Sequence, residues 1–196
     1  MNLFSRFATG PGPGSSGMLE PPEPVPTDPG RWPKLETALA VVNRDLRATL
    51  PGQDALVLMG VPSYEPASRA YTGEEQVYVA MPDGRWQGNP VNASDLEEGC
   101  PPEPHDPETV LGVVAEAAQD TLMELLRQAW PVCPAHGFGM HLWLAGMPED
   151  GDGSDVSGPP MWHCRGGRGG TWHGVARVGE LAAALSGPSA PRAGGS

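Results

Sequence analysis

A chain of 196 residues with 24 acidic and 12 basic side chains carries a formal net charge of −12. That surplus repels phosphate backbones and anionic lipid surfaces, which argues against generic nucleic-acid and membrane binding and favours a basic partner protein or a cation. Glycine (27) and proline (24) make up about a quarter of the residues and gather at the ends and in a few loops, so the core is smaller than the length suggests.

Residues 1–30 read as a disordered tail: Thr9–Gly17 is rich in Gly, Pro and Ser, and Glu20–Gly30 alternates proline with acids. Such a segment buries too little apolar surface to offset its ordering entropy. A first helix is expected after Pro33, where Leu35, Leu39, Val42 and Leu46 recur at helical spacing until Pro51-Gly52 stops them. Ala55–Val61 reads as a short strand. Gln76–Met81, the turn residues Pro82-Asp83-Gly84 and then Arg85-Trp86 read as a β-hairpin. A Pro- and acid-rich surface loop over 89–107 holds Cys100 and His105. The second helix has the strongest signals: Asp106 caps it, Pro107 takes the first position, and Leu111, Val114, Ala118, Leu122 and Leu125 form one apolar face ending near Gln128.

The remainder reads as a small β-element, His141–Ala145, Met161–Cys164 and Trp172–Val178, with a helical turn over Glu180–Leu185 and a disordered tail over 187–196. The expected fold is therefore a single α+β domain over 31–186. It combines a small antiparallel sheet with two main helices and a ribbon-like β-element at 131–178.

No apolar run approaches the ~20 residues that cross a bilayer, and residues 1–17 lack the apolar stretch of a signal peptide. A cytoplasmic location is expected, where Cys100, Cys133 and Cys164 serve as ligands or buried thiols rather than disulfides.

Cys133-Pro134-Ala135-His136-Gly137 has the spacing that lets two ligands three residues apart point into one tight turn, with proline stiffening its start and glycine turning the backbone back. The segment resembles one knuckle of a zinc ribbon, Cys-Pro-x-Cys-Gly. The resemblance implies two further ligands from a second knuckle, here Cys164 and then His173, with His163 and His141 as substitutes, closing a structural Cys₂His₂ site for Zn²⁺. The sequence departs from the ribbon in the second half: no ligand follows Cys164 within Arg165-Gly166-Gly167, and His173 stands nine residues on. Two readings therefore stand, a metal-holding site and a degenerate ribbon with a buried thiol. Trp130-Pro131-Val132-Cys133-Pro134-Ala135-His136, Trp162-His163-Cys164 and Val178-Gly179-Glu180-Leu181 are also similar to patterns that end small actinobacterial proteins, which fits a chain with no Ile and Lys34 as its sole lysine.

Other signals are weaker. Asp150–Asp155 resembles the start of a calcium loop but has Asp155 where the turn glycine belongs and Met161 where the bidentate glutamate belongs. Arg165–Gly170 is a single Arg-Gly-Gly pair, short for an RNA-binding tail. Cys133 with His136 and His141 has the residue types of a thiol nucleophile and base, without a visible orienting group or oxyanion donor. Trp86, Trp130, Trp143, Trp162 and Trp172 read as packing residues flanking strands. The functional expectation is a non-enzymatic protein-interaction domain with a structural zinc site. The alternative is a metal- or thiol-dependent enzyme.

Overall fold

Apolar residues at helical spacing behind a proline give helix α1 (Pro33–Thr49), with Leu35, Leu39, Val42 and Leu46 buried along one face. No side chain of the residue before the helix caps it. Instead Glu36 Oε1 accepts from the backbone N–H groups of Gly30 (2.8 Å) and Trp32 (3.4 Å), tying the segment that enters the helix to its first turn. Helix α2 (Pro107–Leu126) has the expected cap: an Asp106 carboxylate oxygen accepts from Thr109 N (2.7 Å) and Thr109 Oγ1 (2.8 Å). Those bonds hold the exposed Asp106 carboxyl below its ordinary pKa. A depressed folded-state pKa contributes stability above the unfolded value that is lost as pH falls through the folded one. Asp106→Ala should therefore give a modest drop in melting temperature at neutral pH that vanishes in acid.

The computed structural model describes residues 23–65, 70–92, 106–144, 158–166 and 170–186. Over these the architecture is mixed α+β, two small antiparallel sheets with α1 and α2 packed against each other. The first sheet has the order β1 (Val25–Pro26), β2 (Val57–Glu65), β3 (Ala70–Ala80). The second has the order β4 (His141–Leu144), β5 (Pro160–Cys164), β6 (His173–Arg177). A short helix α3 (Leu181–Ser186) follows. Side chains from both sheets and both long helices join one buried apolar cluster, which includes Leu46, Val77, Val114, Leu122, Trp130 and Trp162. Among the described residues no helix is long and apolar enough to cross a membrane.

The first sheet departs from the expected hairpin. The partner of β3 is β2, with Val57 opposite Ala80 and Glu65 opposite Ala70, and the Pro82–Gly84 turn leads only to an isolated bridge between Ala80 and Trp86. A register shift between Pro62 and Tyr64 lets β2 continue past a proline that reads as a strand end. The expected tail boundary at residue 30 also moves. Val25 and Pro26 pair with Gly60 and Met59, and Thr27 N donates to Leu58 O at 3.1 Å. Pro26 is tolerated there because β1 lies at the sheet edge. Asn92, which opens an Asn-Ala-Ser glycosylation sequon, is buried: its Oδ1 accepts from Val77 N (2.8 Å) and its Nδ2 donates to Glu75 O (2.7 Å).

Two polar residues on the inner face of α1 tie distant parts of the chain. Asn43 bonds both backbone groups of Leu56, each at 2.9 Å. Asp45, fully buried, accepts from Trp162 Nε1 (2.8 Å), Gly179 N (2.6 Å) and Leu181 N (2.9 Å), joining α1 to β5 and to the start of α3. Burial pushes the Asp45 carboxyl above its ordinary pKa, while the three donors pull it down.

Candidate metal centre

The site is built where the second sheet meets the segment leaving α2. Trp130 and Trp162 are buried edge to face, with ring centroids 5.4 Å apart. The Trp130 indole N–H donates to Thr49 Oγ1 at 2.8 Å and that of Trp162 to Asp45, so both polar tips are satisfied on α1. Burying such rings removes about 150–250 Å² each from water, roughly 4–6 kcal/mol apiece before ordering costs. These two anchors fix the chain just before Cys133 and just before Cys164.

After Trp130 the chain makes a closed turn. Met140 N donates to Pro131 O, Cys133 N to Phe138 O and Gly137 N to Cys133 O, each at 2.8 Å, and Val132 bridges Gly139. Gly137 has φ +70°, the left-handed conformation that reverses the backbone after the second ligand. One side chain of α2 clasps both ends of the turn: Gln119 Nε2 donates to Trp130 O and to Met140 O, both at 2.8 Å. Cys133 is thereby buried while His136 stands at the surface.

The other two residues come from the β5–β6 hairpin. Cys164 is directly opposite His173 in the antiparallel register, so the loop between them returns the imidazole to the side of the thiol. This cross-strand pairing answers the nine-residue gap that separates the second half from a ribbon knuckle. Gly166 N donates to Cys164 Sγ at 3.3 Å, with Gly166 at φ +66°. A backbone donor two residues past the sulfur stabilises a thiolate, as in metal-binding knuckles.

The ligand atoms of Cys133, His136, Cys164 and His173 all lie within 4.8 Å of one another, close enough to bind one metal ion. His136 Nδ1 is 3.5 Å from Cys133 Sγ and 3.6 Å from Cys164 Sγ. A tetrahedral ion with metal–sulfur bonds of 2.3 Å and metal–nitrogen bonds of 2.0–2.1 Å sets sulfur and nitrogen about 3.6 Å apart. A thiol hydrogen bond accounts for these distances less well, because Nδ1 offers one lone pair or one proton and faces two sulfurs almost equally. The His136 and His173 rings meet edge to face at 5.0 Å.

Burial pushes the Cys164 thiol above its ordinary pKa; the Gly166 N–H lowers it again and the neighbouring Cys133 sulfur raises it further. Both cysteines are free of disulfide bonds.

No protein-family model, curated protein or solved structure matches this chain.

The other sequence candidates fall elsewhere. His141 and His163, the substitute ligands, face each other across β4 and β5 and do not join the cluster. Cys100, His105 and residues 150–155 lie outside the described residues, as do 167–169 of the Arg-Gly-Gly stretch. Trp143 and Trp172 are half-buried on the outer face of the second sheet rather than in the core. Asp45 and Gln119, which position the site from the helices, lie outside the Cys/His pattern of the sequence. The sequence signal for Asp45 is its place between Val42 and Leu46, two residues of the helix's apolar stripe.

Proposed function

We propose that this protein is a non-enzymatic interaction module whose C-terminal sheet is fastened by a structural Zn²⁺ ion held by Cys133, His136, Cys164 and His173, in a degenerate zinc-ribbon-like element. The observation that carries the reading is the near-equal approach of both cysteine sulfurs to the single His136 Nδ1, at the separation a tetrahedral ion requires. Two thiolates and two imidazoles suit zinc and disfavour hard cations such as Mg²⁺ and Ca²⁺. Four protein ligands fill a tetrahedron and leave no position for a substrate or activated water, which supports a structural over a catalytic role.

The thiol-enzyme alternative has less support. Cys133 is 1% exposed, so a substrate has little access to it. A depression of about 360 Å³ lined by Thr49, Pro51, Leu126 and Gln128 includes no member of the cluster. In a reducing compartment such as the cytoplasm both cysteines stay available as ligands.

Protein prepared without a His-tag or chelator should contain one zinc per chain by elemental analysis. Cobalt substitution should give tetrahedral visible bands and a thiolate charge-transfer band. Metal-free protein that melts as a single stable species, or a Cys133 thiol that alkylates as fast as free cysteine, would refute the reading.

A further inference from the structure

Strand alternation divides the second sheet into two faces. Leu142, Trp162, Cys164 and Ala176 point to the core and the metal cluster. His141, Trp143, Met161, His163 and Arg177 share the opposite, outer face. Trp172 completes it, with its ring centroid 5.5 Å from Trp143 and 5.7 Å from His141. Trp143 in turn stacks on His163 at 6.0 Å. Gly174 makes room for this arrangement, since a Cβ there would meet His163 Nε2 at 3.4 Å and Met161 Cε at 3.2 Å. The Arg165 guanidinium lies 5.9 Å from the centre of the Trp172 ring.

The two segments that carry the strands, taken without the β4–β5 connection, differ in charge from the whole chain. Residues 129–145 contain no charged side chain, and residues 158–179 contain arginines 165, 168 and 177 and no acid. All 24 acidic residues therefore lie outside these two segments, four of them (Glu149, Asp150, Asp152 and Asp155) in the β4–β5 connection, which is outside the described residues.

We propose that this outer face is a docking surface for an acidic segment of a partner protein. The proposal rests on the interaction-module reading and names the partner's chemistry. Tryptophan and arginine are the residues that most often dominate binding energy at protein interfaces. Arg165 is already oriented by its ring, so its planar fork can meet a carboxylate at small entropic cost. The global charge of −12 by itself favours a basic partner. At physiological ionic strength, however, charges farther off than about 8 Å are largely screened, and among the described residues of the second sheet the charged side chains are Arg165 and Arg177. A nucleic acid is the poorer fit, because its dense phosphates concentrate the repulsion while Arg165 and Arg177 neutralise little of it. The metal connects to this surface through His173, the neighbour of Trp172.

The test uses the full-length, zinc-loaded protein and follows its tryptophan emission. It is titrated with a short peptide of alternating Glu and Pro, the matching Lys/Pro peptide, and an oligothymidylate. Saturable binding of the Glu peptide alone is expected, weakened about tenfold or more by Arg165→Glu and likewise by Trp172→Ala. Preference for the Lys peptide, tighter binding of the oligothymidylate, or Glu-peptide binding unchanged in both variants would overturn the proposal. Zinc content and melting temperature measured on the same samples separate the two readings. Stoichiometric zinc with no peptide binding defeats the surface alone, whereas peptide binding by a stable zinc-free protein defeats the metal site alone.

Discussion

Cys164→Ser should release the metal and lower stability by on the order of 5 kcal/mol, part of the ~10–16 kcal/mol apparent binding energy of structural zinc in small peptides. For a chain of this length that corresponds to a fall in melting temperature of roughly 10–20 °C. The four candidate ligands come from two separate segments, the turn after Trp130 and the β5–β6 hairpin. In the proposed site one ion would join both segments, and removing one sulfur would untie them together. Cys133→Ser should have the same effect, and the double variant should be little worse than either single one, because all three lose the same ion. Chelation of the unaltered protein should reproduce the loss. Differential scanning calorimetry with elemental analysis on each variant measures it. If Cys164→Ser melts with the parent while the parent holds zinc, the ion has no structural role.

A second large effect is expected at a site that holds no metal. Asp45→Ala leaves the Trp162 indole N–H and the backbone N–H groups of Gly179 and Leu181 without an acceptor in a fully buried position. Leaving buried donors unpaired costs about 1–3 kcal/mol each, with partial relief as the structure relaxes, so a total of roughly 3–5 kcal/mol is expected. That is a large share of the ~5–15 kcal/mol that stabilises a typical domain. Asp45→Asn keeps one acceptor but turns an amide donor toward other donors, and should fall between. The pH dependence has a definite sign. Because burial raises the folded-state pKa of Asp45, its contribution is complete below the ordinary carboxylate value near ~3.9 and declines as pH rises through the raised one. Ionising the group is costly there, yet leaving its donors bare is costlier. Thermal melts from acid to neutral pH should show that decline in the parent and lack it in Asp45→Ala. Equal slopes in the two would contradict this account.

The sequence carried the helices and the four cluster residues more openly than it carried the sheets. Leu35, Leu39, Val42 and Leu46 announce α1 by local periodicity, and Asp106-Pro107 announces α2 by local capping chemistry. Cys133 and His136 were legible because a three-residue ligand spacing is also a local property. His173 was nominated across a gap that only the Cys164–His173 register explains. Pairing of β2 with β3 was hidden by Pro62, which ends a strand unless a register shift absorbs it. The role of Asp45 was hidden by distance, since its three partners lie 117, 134 and 136 residues away and a lone carboxylate in a helix ordinarily faces water.

The clasp made by Gln119 has a consequence for affinity. A loop that must gather its own ends around an ion spends part of the binding energy on chain entropy. Here an amide on a rigid helix already joins carbonyls 11 and 21 residues downstream, so the first two donors are mounted before any ion arrives. Pre-closure of this kind would favour tight capture, and it places the sensitivity of capture in a residue that is none of the four proposed ligands.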